Sequence, residues 1–193
     1  YLWWIALFFI WLMDDNTLMC EVRSGDIDRL GLLYEKYKKA LFSYFFKVTK
    51  GDHAGAEDLV HIVFQRVLKY KDRFDGTGSF VSWLFSIARN CGIDYHRKKP
   101  FNYSIDQYPN YLIGDDDSDS ELLRTEQIDV LYHALNLLEP TDKEILILGK
   151  IDELKYKDIA DILDCSECAV RVRIFRALKR LKDVYLKLEP VEK

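Results

Sequence analysis

The residues with the clearest chemical purpose lie near the end of the chain, in a run of cations at helical spacing. Between Ala169 and Lys182 no acidic residue interrupts this run. Its members are Arg171, Arg173, Arg176, Lys179, Arg180 and Lys182. Because a guanidinium group can pair with the edge of guanine or clamp a phosphate, the run indicates nucleic-acid binding. A solvated basic helix surface is the alternative interpretation of the same composition.

The segment before this run would position it. Residues 155–163 have helical periodicity, a short turn follows over 164–166, and Ser166 is a suitable N-cap for the next helix. One face of that next helix carries the apolar residues Val170, Ile174, Ala177, Leu178 and Leu181. A tight turn followed by a helix that is apolar inside and basic outside predicts a helix-turn-helix whose second helix enters the major groove.

Helical periodicity covers almost the whole chain, with one interruption. Three helices are predicted over about 27–50, 54–70 and 79–99, and four more over about 122–138, 144–150, 155–163 and 166–187. Between them Asn, Asp, Ser, Pro and Gly replace the pattern, ending in the acidic run GDDDSDSE. The fold class is therefore predicted to be all-α, with a three-helix bundle over 13–100, a flexible acidic linker over 101–121 and a second small helical domain over 122–193.

The first twelve residues, YLWWIALFFIWL, are all apolar. As a helix they would reach only about 18 Å, short of the roughly 30 Å hydrocarbon core of a bilayer. No basic residue precedes them and no small-residue cleavage site follows, so they also make a poor signal peptide. We expect Met13 to be the true start and residues 1–12 to be an upstream or added extension, without membrane insertion. A membrane-touching anchor and a segment that packs on the domain are the alternatives.

The remaining composition favours a non-enzymatic protein of a reducing compartment. Three of the four cysteines fall in helical patterns and nothing marks export. We therefore expect a cytoplasmic location and no disulfide scaffold. Cys165 and Cys168 form a C-x-x-C, but no second pair or nearby His completes a zinc set, so we interpret them as packing residues. No nucleophile–base pair, phosphate loop or cofactor motif is present in the sequence, and we therefore predict no enzyme and no cofactor.

Two groups of motifs in combination carry a family resemblance. The first half contains AEDLVHIVFQRVLKY, RFDGTGSF and FVSWLFSIARNCGIDYHRKK, and the second contains LEPTDKEILILGKIDELKYKDIADILDCSECAVRVRIFRALKRL. Over about residues 14–188 the chain resembles the sigma factors of bacterial RNA polymerase, specifically the extracytoplasmic-function group, which keeps only sigma domains two and four. The resemblance implies a factor that binds core polymerase and directs promoter recognition, DNA melting and transcription initiation. A helix-turn-helix activator that does not replace sigma is the alternative, and a protein-interaction module with an acidic partner is a third interpretation.

The same resemblance implies a polymerase-docking helix. In the family the AEDL-type helix binds the clamp helices of the largest polymerase subunit. The matching positions here are Asp58, His61, Ile62, Gln65 and Arg66. The family usually has Gln and then Glu where this chain has His61 and Ile62, so individual contacts are expected to differ. The resemblance also implies an anti-sigma factor as a partner.

Promoter opening in the family captures an unpaired base of the minus-ten element between the glycine-containing loop and the next helix. The positions that this implies for minus-ten binding are Phe74, Asp75, Gly76, Ser79, Arg89, Asn90, Arg97, Lys98 and Lys99. Extruding a base costs a few kcal/mol, which stacking on an aromatic ring and hydrogen bonds to the base edge can recover. Phe74 as a core residue and Asn90 as an ordinary exposed polar residue are the alternatives. We assign Trp83 to the core.

For the minus-thirty-five element the resemblance implies the outer face of the basic helix. The matching residues are Ser166, Arg171, Val172, Arg173, Phe175, Arg176 and Lys179. Val172 stands where the family often has a small polar residue, and it could read a thymine methyl group or touch only the groove wall.

The net charge of −4 and the pI near 5.6 argue weakly against a nucleic-acid partner, but they average over opposed regions. Residues 169–182 and 96–99 are basic, whereas residues 114–121 are acidic. One hypothesis is that the acidic run masks the basic helix in the free protein; a merely solvated linker is the alternative.

Overall fold

The computed structural model describes residues 14–98 and 118–188, with the backbone alone for 118–126. Within these two ranges every regular element is helical, which confirms the predicted all-α class. The apolar extension over 1–12 and most of the predicted linker, residues 101–117, lie outside the described residues. We call helices α1 to α4 the first helical unit and helices α5 to α8 the second.

The first helical unit has four helices where periodicity predicted three. They are α1 (Asp15–Ser24), α2 (Asp28–Val48), α3 (His53–Lys69) and α4 (Phe80–Lys98), with a short 3₁₀ turn at Lys71–Arg73. The additional helix is α1. Asp14 caps it by accepting a hydrogen bond from the backbone N–H of Thr17 at 3.2 Å, and Gly25 ends it with φ +118°.

An aromatic core holds the first helical unit together. Helix α2 packs against α1 and α3, and α4 packs against α3. Tyr44, Phe45, Phe80 and Phe85 are fully buried between them, and Tyr44 meets Phe85 edge to face with ring centroids 5.7 Å apart. Burying an apolar side chain of this size stabilises the fold by about 1.5–3 kcal/mol. This core fixes α4 and the loop before it, which carry most of the predicted minus-ten residues.

The second helical unit has four α-helices and one π-helical segment. The helices are α5 (Ser118–Asn136), α6 (Pro140–Leu146), α7 (Tyr156–Ile162) and α8 (Glu167–Leu188), and the π segment is Ile147–Ile151. Helix α5 begins inside the stretch predicted as linker. Residues 147–150, predicted as ordinary helix, form the π segment beneath α8. A Cβ on Gly149 would lie 2.7 Å from Ile174 Cδ1, so glycine permits this close approach.

The two helical units contact each other directly. Helix α4 packs against α7, and α2 contacts the π segment. Lys47 Nζ lies 2.7 Å from Asp152 Oδ1, and Arg89 Nε lies 2.8 Å from Glu144 Oε1. The described structure is therefore a closed arrangement in which ion pairs cross from one unit to the other.

None of the helices in the described ranges combines the length and the apolar character that a membrane crossing requires.

We expect Asp52→Ala to lower the free energy of unfolding by about 1–2 kcal/mol, measured by urea denaturation. The Asp52 carboxylate caps α3 by accepting from the backbone N–H of Gly55 at 2.9 Å, and it also accepts from the Tyr95 hydroxyl. Asp52→Asn is the control, because asparagine caps helices as well as aspartate does. Equal losses for the two variants would contradict the capping role.

Candidate functional site

A loop over residues 74–79, here called the glycine loop, joins the 3₁₀ turn to α4. Asp75 closes a turn inside it, because its carboxylate accepts from the backbone N–H of Thr77 at 2.9 Å and from the Thr77 hydroxyl at 2.8 Å. These hydrogen bonds hold the pKa of Asp75 below its usual value. Gly76 has φ +80°, a conformation that favours glycine. These contacts hold the loop in one conformation, unlike a flexible linker.

A cavity of about 770 Å³, here called the loop cavity, opens beside this loop. Of the predicted minus-ten residues, Phe74, Asp75 and Ser79 line it. Beyond the glycine loop, seven residues that were not predicted to contact DNA also line it: Asn16, Arg73, Ser82, Trp83 and Ser86 of the first unit, and Lys157 and Asp161 of α7. The cavity is large enough to admit an unpaired base, and its mixed polar and aromatic lining suits one.

The two aromatic residues at the loop cavity are placed differently. Phe74 is only 3% exposed, and its ring packs against Phe80 and Trp83, with centroids 6.0 and 5.3 Å away. Trp83, which sequence analysis assigned to the core, is half-buried and lines the cavity. In this arrangement the Trp83 indole is therefore the more accessible ring. A tryptophan at an inward helical position gives no sequence signal that one face stays open.

The remaining predicted minus-ten residues lie along α4. Asn90 and Lys98 are exposed, while Arg89 pairs with Glu144 of the second helical unit at 2.8 Å. Arg97 lies 3.3 Å from Asp94, in the next-to-last turn of the helix. Lys99 lies outside the described residues. Arg97 and Lys98 therefore form a basic end of α4, Arg89 lies farther back along the helix, and both Arg89 and Arg97 are already paired.

The predicted polymerase-docking residues share the outer face of α3. Asp58, His61, Ile62 and Gln65 are exposed, which suits a docking surface. Arg66 instead lies 2.8 Å from Asp94 and ties α3 to α4. This ion pair holds the pKa of Asp94 below its usual value. The His61 ring stacks beside Tyr34 with centroids 6.1 Å apart.

Helices α7 and α8 form the predicted helix-turn-helix. Ser166 caps α8, since its hydroxyl accepts from the backbone N–H of Ala169 at 3.2 Å, and Asp164 turns the chain with φ +49°. The buried stripe is Val170, Ile174 and Ala177, whereas Leu178 is exposed, unlike the prediction. The predicted minus-thirty-five residues are all exposed: Ser166, Arg171, Val172, Arg173, Phe175, Arg176 and Lys179.

Two features of this outer face affect how it could meet DNA. Phe175 is 70% exposed, which is a large apolar surface to leave in water unless a partner covers it. The Arg171 guanidinium lies 5.8 Å from the centre of the Tyr156 ring, so a cation–π contact orients it. The face is therefore a mixed basic and apolar surface, of the kind that reads both phosphates and base methyl groups.

A second cavity, of about 410 Å³, lies where the two units meet, and we call it the arginine cavity. Its basic lining comes from both units: Arg89 of α4 and Arg173, Arg176 and Arg180 of α8. Arg180 forms an ion pair with Asp142 on α6. Parts of the predicted minus-ten and minus-thirty-five surfaces thus face the same space in the closed arrangement.

The C-x-x-C pair lies at the start of α8. Cys165 is half-buried and Cys168 is exposed, and both are free thiols. Among the described residues no three His, Cys, Asp or Glu side chains are grouped so that they could hold a metal ion.

Two protein families match the chain in the order of its two helical units. The family described as Sigma-70 region 2 matches residues 33–100, and the family described as Sigma-70, region 4 matches residues 128–181. The fold and these two matches define the protein as a sigma factor of the Sigma-70 class. The second match includes the helix-turn-helix described above.

The similar proteins narrow the class. The ECF RNA polymerase sigma factor SigM of Bacillus subtilis is 30% identical over 153 residues, which cover 79% of this chain and 93% of SigM. The ECF RNA polymerase sigma-E factor of Haemophilus influenzae is 27% identical over 190 residues, which cover 93% of this chain and 97% of that protein. The chain therefore belongs to the ECF (extracytoplasmic-function) family of RNA polymerase sigma factors.

A solved structure agrees with this assignment. The sigma factor RpoE from Bartonella quintana, in complex with the anti-sigma factor NepR, has a TM-score of 0.63 and 25% identity, covering 86% of this chain and 99% of that one. Sigma factors bind core RNA polymerase and promoter DNA and act in transcription initiation without being catalysts themselves. The predicted sigma function is confirmed, and the comparisons support it over an activator that does not replace sigma.

We expect Gly76→Ala to weaken binding of the polymerase holoenzyme to a single-stranded minus-ten oligonucleotide. Alanine at this positive φ is strained by about 1–2 kcal/mol, and its Cβ would lie 3.3 Å from Cys20 Sγ. Gly78→Ala is the matched control, since a Cβ there meets nothing within 4 Å. Fluorescence anisotropy would measure both affinities. Wild-type binding by the Gly76 variant would contradict a functional role of the loop conformation.

Proposed function

We propose that the two helical units divide the work of promoter recognition in this sigma factor. Residues 13–100 serve core polymerase binding and the minus-ten element, residues 101–121 act as a linker, and residues 122–193 serve the minus-thirty-five element. The observation that carries the proposal is a pair of surfaces: the glycine loop and the loop cavity beside it, lined mostly by the first unit, and the exposed basic face of α8 on the second. A protein with both surfaces can grip a promoter at two points.

At the minus-ten element, we propose that the loop cavity receives one unpaired base. Stacking on an exposed aromatic face is worth about 1–3 kcal/mol per base, comparable with the cost of extruding the base. Trp83 and the edge of Phe74 offer the aromatic surface, and Asn90 carries an amide that can both donate to and accept from a base edge. Arg89, Arg97, Lys98 and Lys99 would hold the backbone phosphates, and Asp75, Gly76 and Ser79 would shape the loop.

At the minus-thirty-five element, we propose that α8 is the recognition helix. Arg171, Arg173 and Arg176 are exposed near the start of α8, and their forked donors suit guanine edges and phosphates. Val172 and Phe175 add apolar contacts for thymine methyl groups. Ser166 at the N-cap and Lys179 farther along would position the helix on the backbone.

Core polymerase is the partner that joins these two actions. We assign the contact with the clamp helices of the largest subunit to the outer face of α3, where Asp58, His61, Ile62 and Gln65 are exposed. The Arg66–Asp94 ion pair joins that helix to α4. None of these four residues lines the loop cavity, so polymerase and the unpaired base would occupy different surfaces.

Three further assignments complete the proposal. The protein itself catalyses no reaction, it acts in the cytoplasm, and an anti-sigma factor controls it. The last assignment draws support from the Bartonella quintana sigma factor, which was solved with its anti-sigma factor.

Reconstitution with sigma-free core polymerase tests the function. We expect the purified protein to bind core and to direct specific transcripts from promoters of the host genome, mapped by their 5′ ends. Absence of core binding and of specific transcripts would refute the proposed mode of action.

We expect Arg176→Ala to lower promoter affinity by about 1–3 kcal/mol and to change the base preference in the minus-thirty-five element. Lys179→Ala should weaken binding evenly across sequences, because a phosphate contact carries no base information. Both residues are exposed on α8, so neither change removes a core contact. Holoenzyme binding to native and scrambled promoters measures the difference. Equal losses on both sequences for both variants would refute it.

A further inference from the structure

Helix α1 presents one of its faces to the glycine loop. Asn16, Cys20 and Arg23 are spaced by four and three residues, so they lie on the same side of the helix. All three approach the segment 74–80. The family match to Sigma-70 region 2 begins only at residue 33, after this helix.

Asn16 links the end of the loop to the start of α4. Its side-chain Nδ2 donates to the carbonyl oxygen of Gly78 at 2.6 Å, and its Oδ1 accepts from the backbone N–H of Phe80 at 2.8 Å. Phe80 is the first residue of α4, where backbone N–H groups have no partner inside the helix. Asn16 thus acts as a cap supplied from a distant part of the chain.

Arg23 holds the opposite end of the loop. Its Nη1 donates to the carbonyl oxygen of Phe74 at 2.7 Å. Lys71 Nζ donates in turn to the carbonyl oxygen of Arg23 at 3.2 Å. Between these ends, a Cβ at Gly76 would lie 3.3 Å from Cys20 Sγ, so the middle of the loop also comes near α1. One helix face therefore contacts the first residue, the middle and the end of the loop.

Helix α1 is itself fixed on α2. The Asp15 carboxylate accepts from Lys36 Nζ at 2.6 Å and from the Tyr37 hydroxyl at 2.5 Å. Burial and the hydrogen bond to Asp15 raise the pKa of Tyr37 far above its ordinary value, so this phenol stays a donor. The contacts to the loop come from a rigid support.

We propose that Asn16 and Arg23 are positioning residues that hold the glycine loop open for an unpaired minus-ten base. The proposal rests on the proposed function of that loop. A loop ordered before the base arrives has no ordering entropy left to lose on binding, so affinity and base preference both gain. Asn16 also lines the loop cavity, so its side chain borders the space that the base would occupy.

Holoenzymes with Asn16→Ala or Arg23→Met test the proposal. The probe is a labelled single-stranded minus-ten oligonucleotide together with a series in which each base in turn is replaced by an abasic site. The position at which an abasic site lowers the affinity of the wild-type holoenzyme most identifies the captured base. We expect each variant to bind the intact oligonucleotide about tenfold more weakly and to lose most of the discrimination at that position.

For each variant we compare the affinity for the intact oligonucleotide with the affinity for the abasic one. The ratio of these affinities separates a positioning role from general destabilisation, because it does not depend on the fraction of folded protein. Ser24→Ala is the control on the same helix, since the Ser24 hydroxyl donates only to Glu21 within α1. Asn16→Asp keeps the acceptor for Phe80 and loses the donor to Gly78, so an intermediate ratio is expected. Arg23→Lys, which can still donate to Phe74, should restore part of the discrimination.

Two results would overturn this inference, and they are distinguishable. If wild type discriminates at one position and both Asn16→Ala and Arg23→Met discriminate equally well, the positioning role is wrong and the proposed function of the loop stands. If wild type discriminates at no position while still binding core and the minus-thirty-five element, the base-capture function itself is wrong.

A second inference comes from a different observation, the ion pairs between the two helical units. Lys47 and Asp152 are each only 4% exposed and lie 2.7 Å apart. Lys47 Nζ also donates to the Ser43 hydroxyl at 2.6 Å, while Asp152 Oδ2 has no hydrogen-bond partner among the described residues. Burial raises the pKa of Asp152 despite the neighbouring Lys47 charge. Both charges are thus removed from water by the contact between the units.

The same contact covers part of the surface assigned to DNA. Glu144 forms an ion pair with the Arg89 guanidinium, which would otherwise be available to a phosphate. Lys157 and Asp161 of α7 stand at the loop cavity of the first unit. We infer that the surface of the second unit that carries Glu144, Lys157 and Asp161 is a docking surface for the DNA-binding face of the first unit. In the protein without polymerase the two units are therefore closed against each other. This inference also rests on the proposed function of the loop.

Asp152→Asn tests the second inference in the protein without polymerase. It leaves Lys47 buried without its charge partner in the closed arrangement, whereas opening returns that lysine to water. We expect a larger radius of gyration in small-angle X-ray scattering and about tenfold tighter binding of the free protein to the minus-ten oligonucleotide. Affinity within the holoenzyme should not change.

Two further variants make the result specific. Asp164→Asn is the control, because Asp164 is exposed and asparagine tolerates its φ of +49°. Lys47→Met combined with Asp152→Leu removes both charges and should stay closed, since an apolar pair can replace a buried ion pair. A wild-type radius and wild-type affinity for Asp152→Asn would overturn the inference, as would equal opening of the Asp164 control.

Discussion

The buried charges of Lys47 and Asp152 are the constraint on which the arrangement of the two helical units depends. Removing two charges from water costs several kcal/mol for each, and their attraction repays this only in good geometry. Here the geometry is good on one side, with Nζ and Oδ1 2.7 Å apart and Ser43 adding a hydrogen bond. The pair consequently specifies how the units fit together more than it stabilises them. Because such an ion pair adds little net stability, we expect that binding of another partner can separate the two units.

The parts of the molecule that sequence could predict are those determined within one helix. The buried stripe of Val170, Ile174 and Ala177 and the exposed arginines of α8 follow from the helical period alone. The same holds for the outer face of α3, and the glycines of the loop mark their own turn. This is why the all-α class and the helix-turn-helix could be predicted, and the family motifs then supplied the function.

What sequence could not predict depends on contacts between distant residues. Helix α1 is a short, mostly polar segment of ten residues that buries only Leu18, Met19 and Val22, and the surface that covers them belongs to α2. Within the π segment, Gly149 lies against Ile174, a neighbour that no local pattern specifies. Trp83 and Asn16 reach the loop cavity only because α1 and α4 come together. The sequence therefore predicted charged and glycine positions for the candidate site but not the residues that support them from other helices.

The Arg89–Glu144 ion pair has a consequence for how salt affects this protein. Each cation that neutralises a DNA phosphate releases a condensed counterion, and the number released sets the slope of affinity against salt concentration. A guanidinium that stays paired with a carboxylate neutralises no phosphate, so it adds nothing to that release. In the closed arrangement the protein therefore has fewer cations able to release counterions than its sequence suggests. We therefore expect the closed protein to bind non-specific DNA with a shallower salt dependence than an open one, by the share of Arg89.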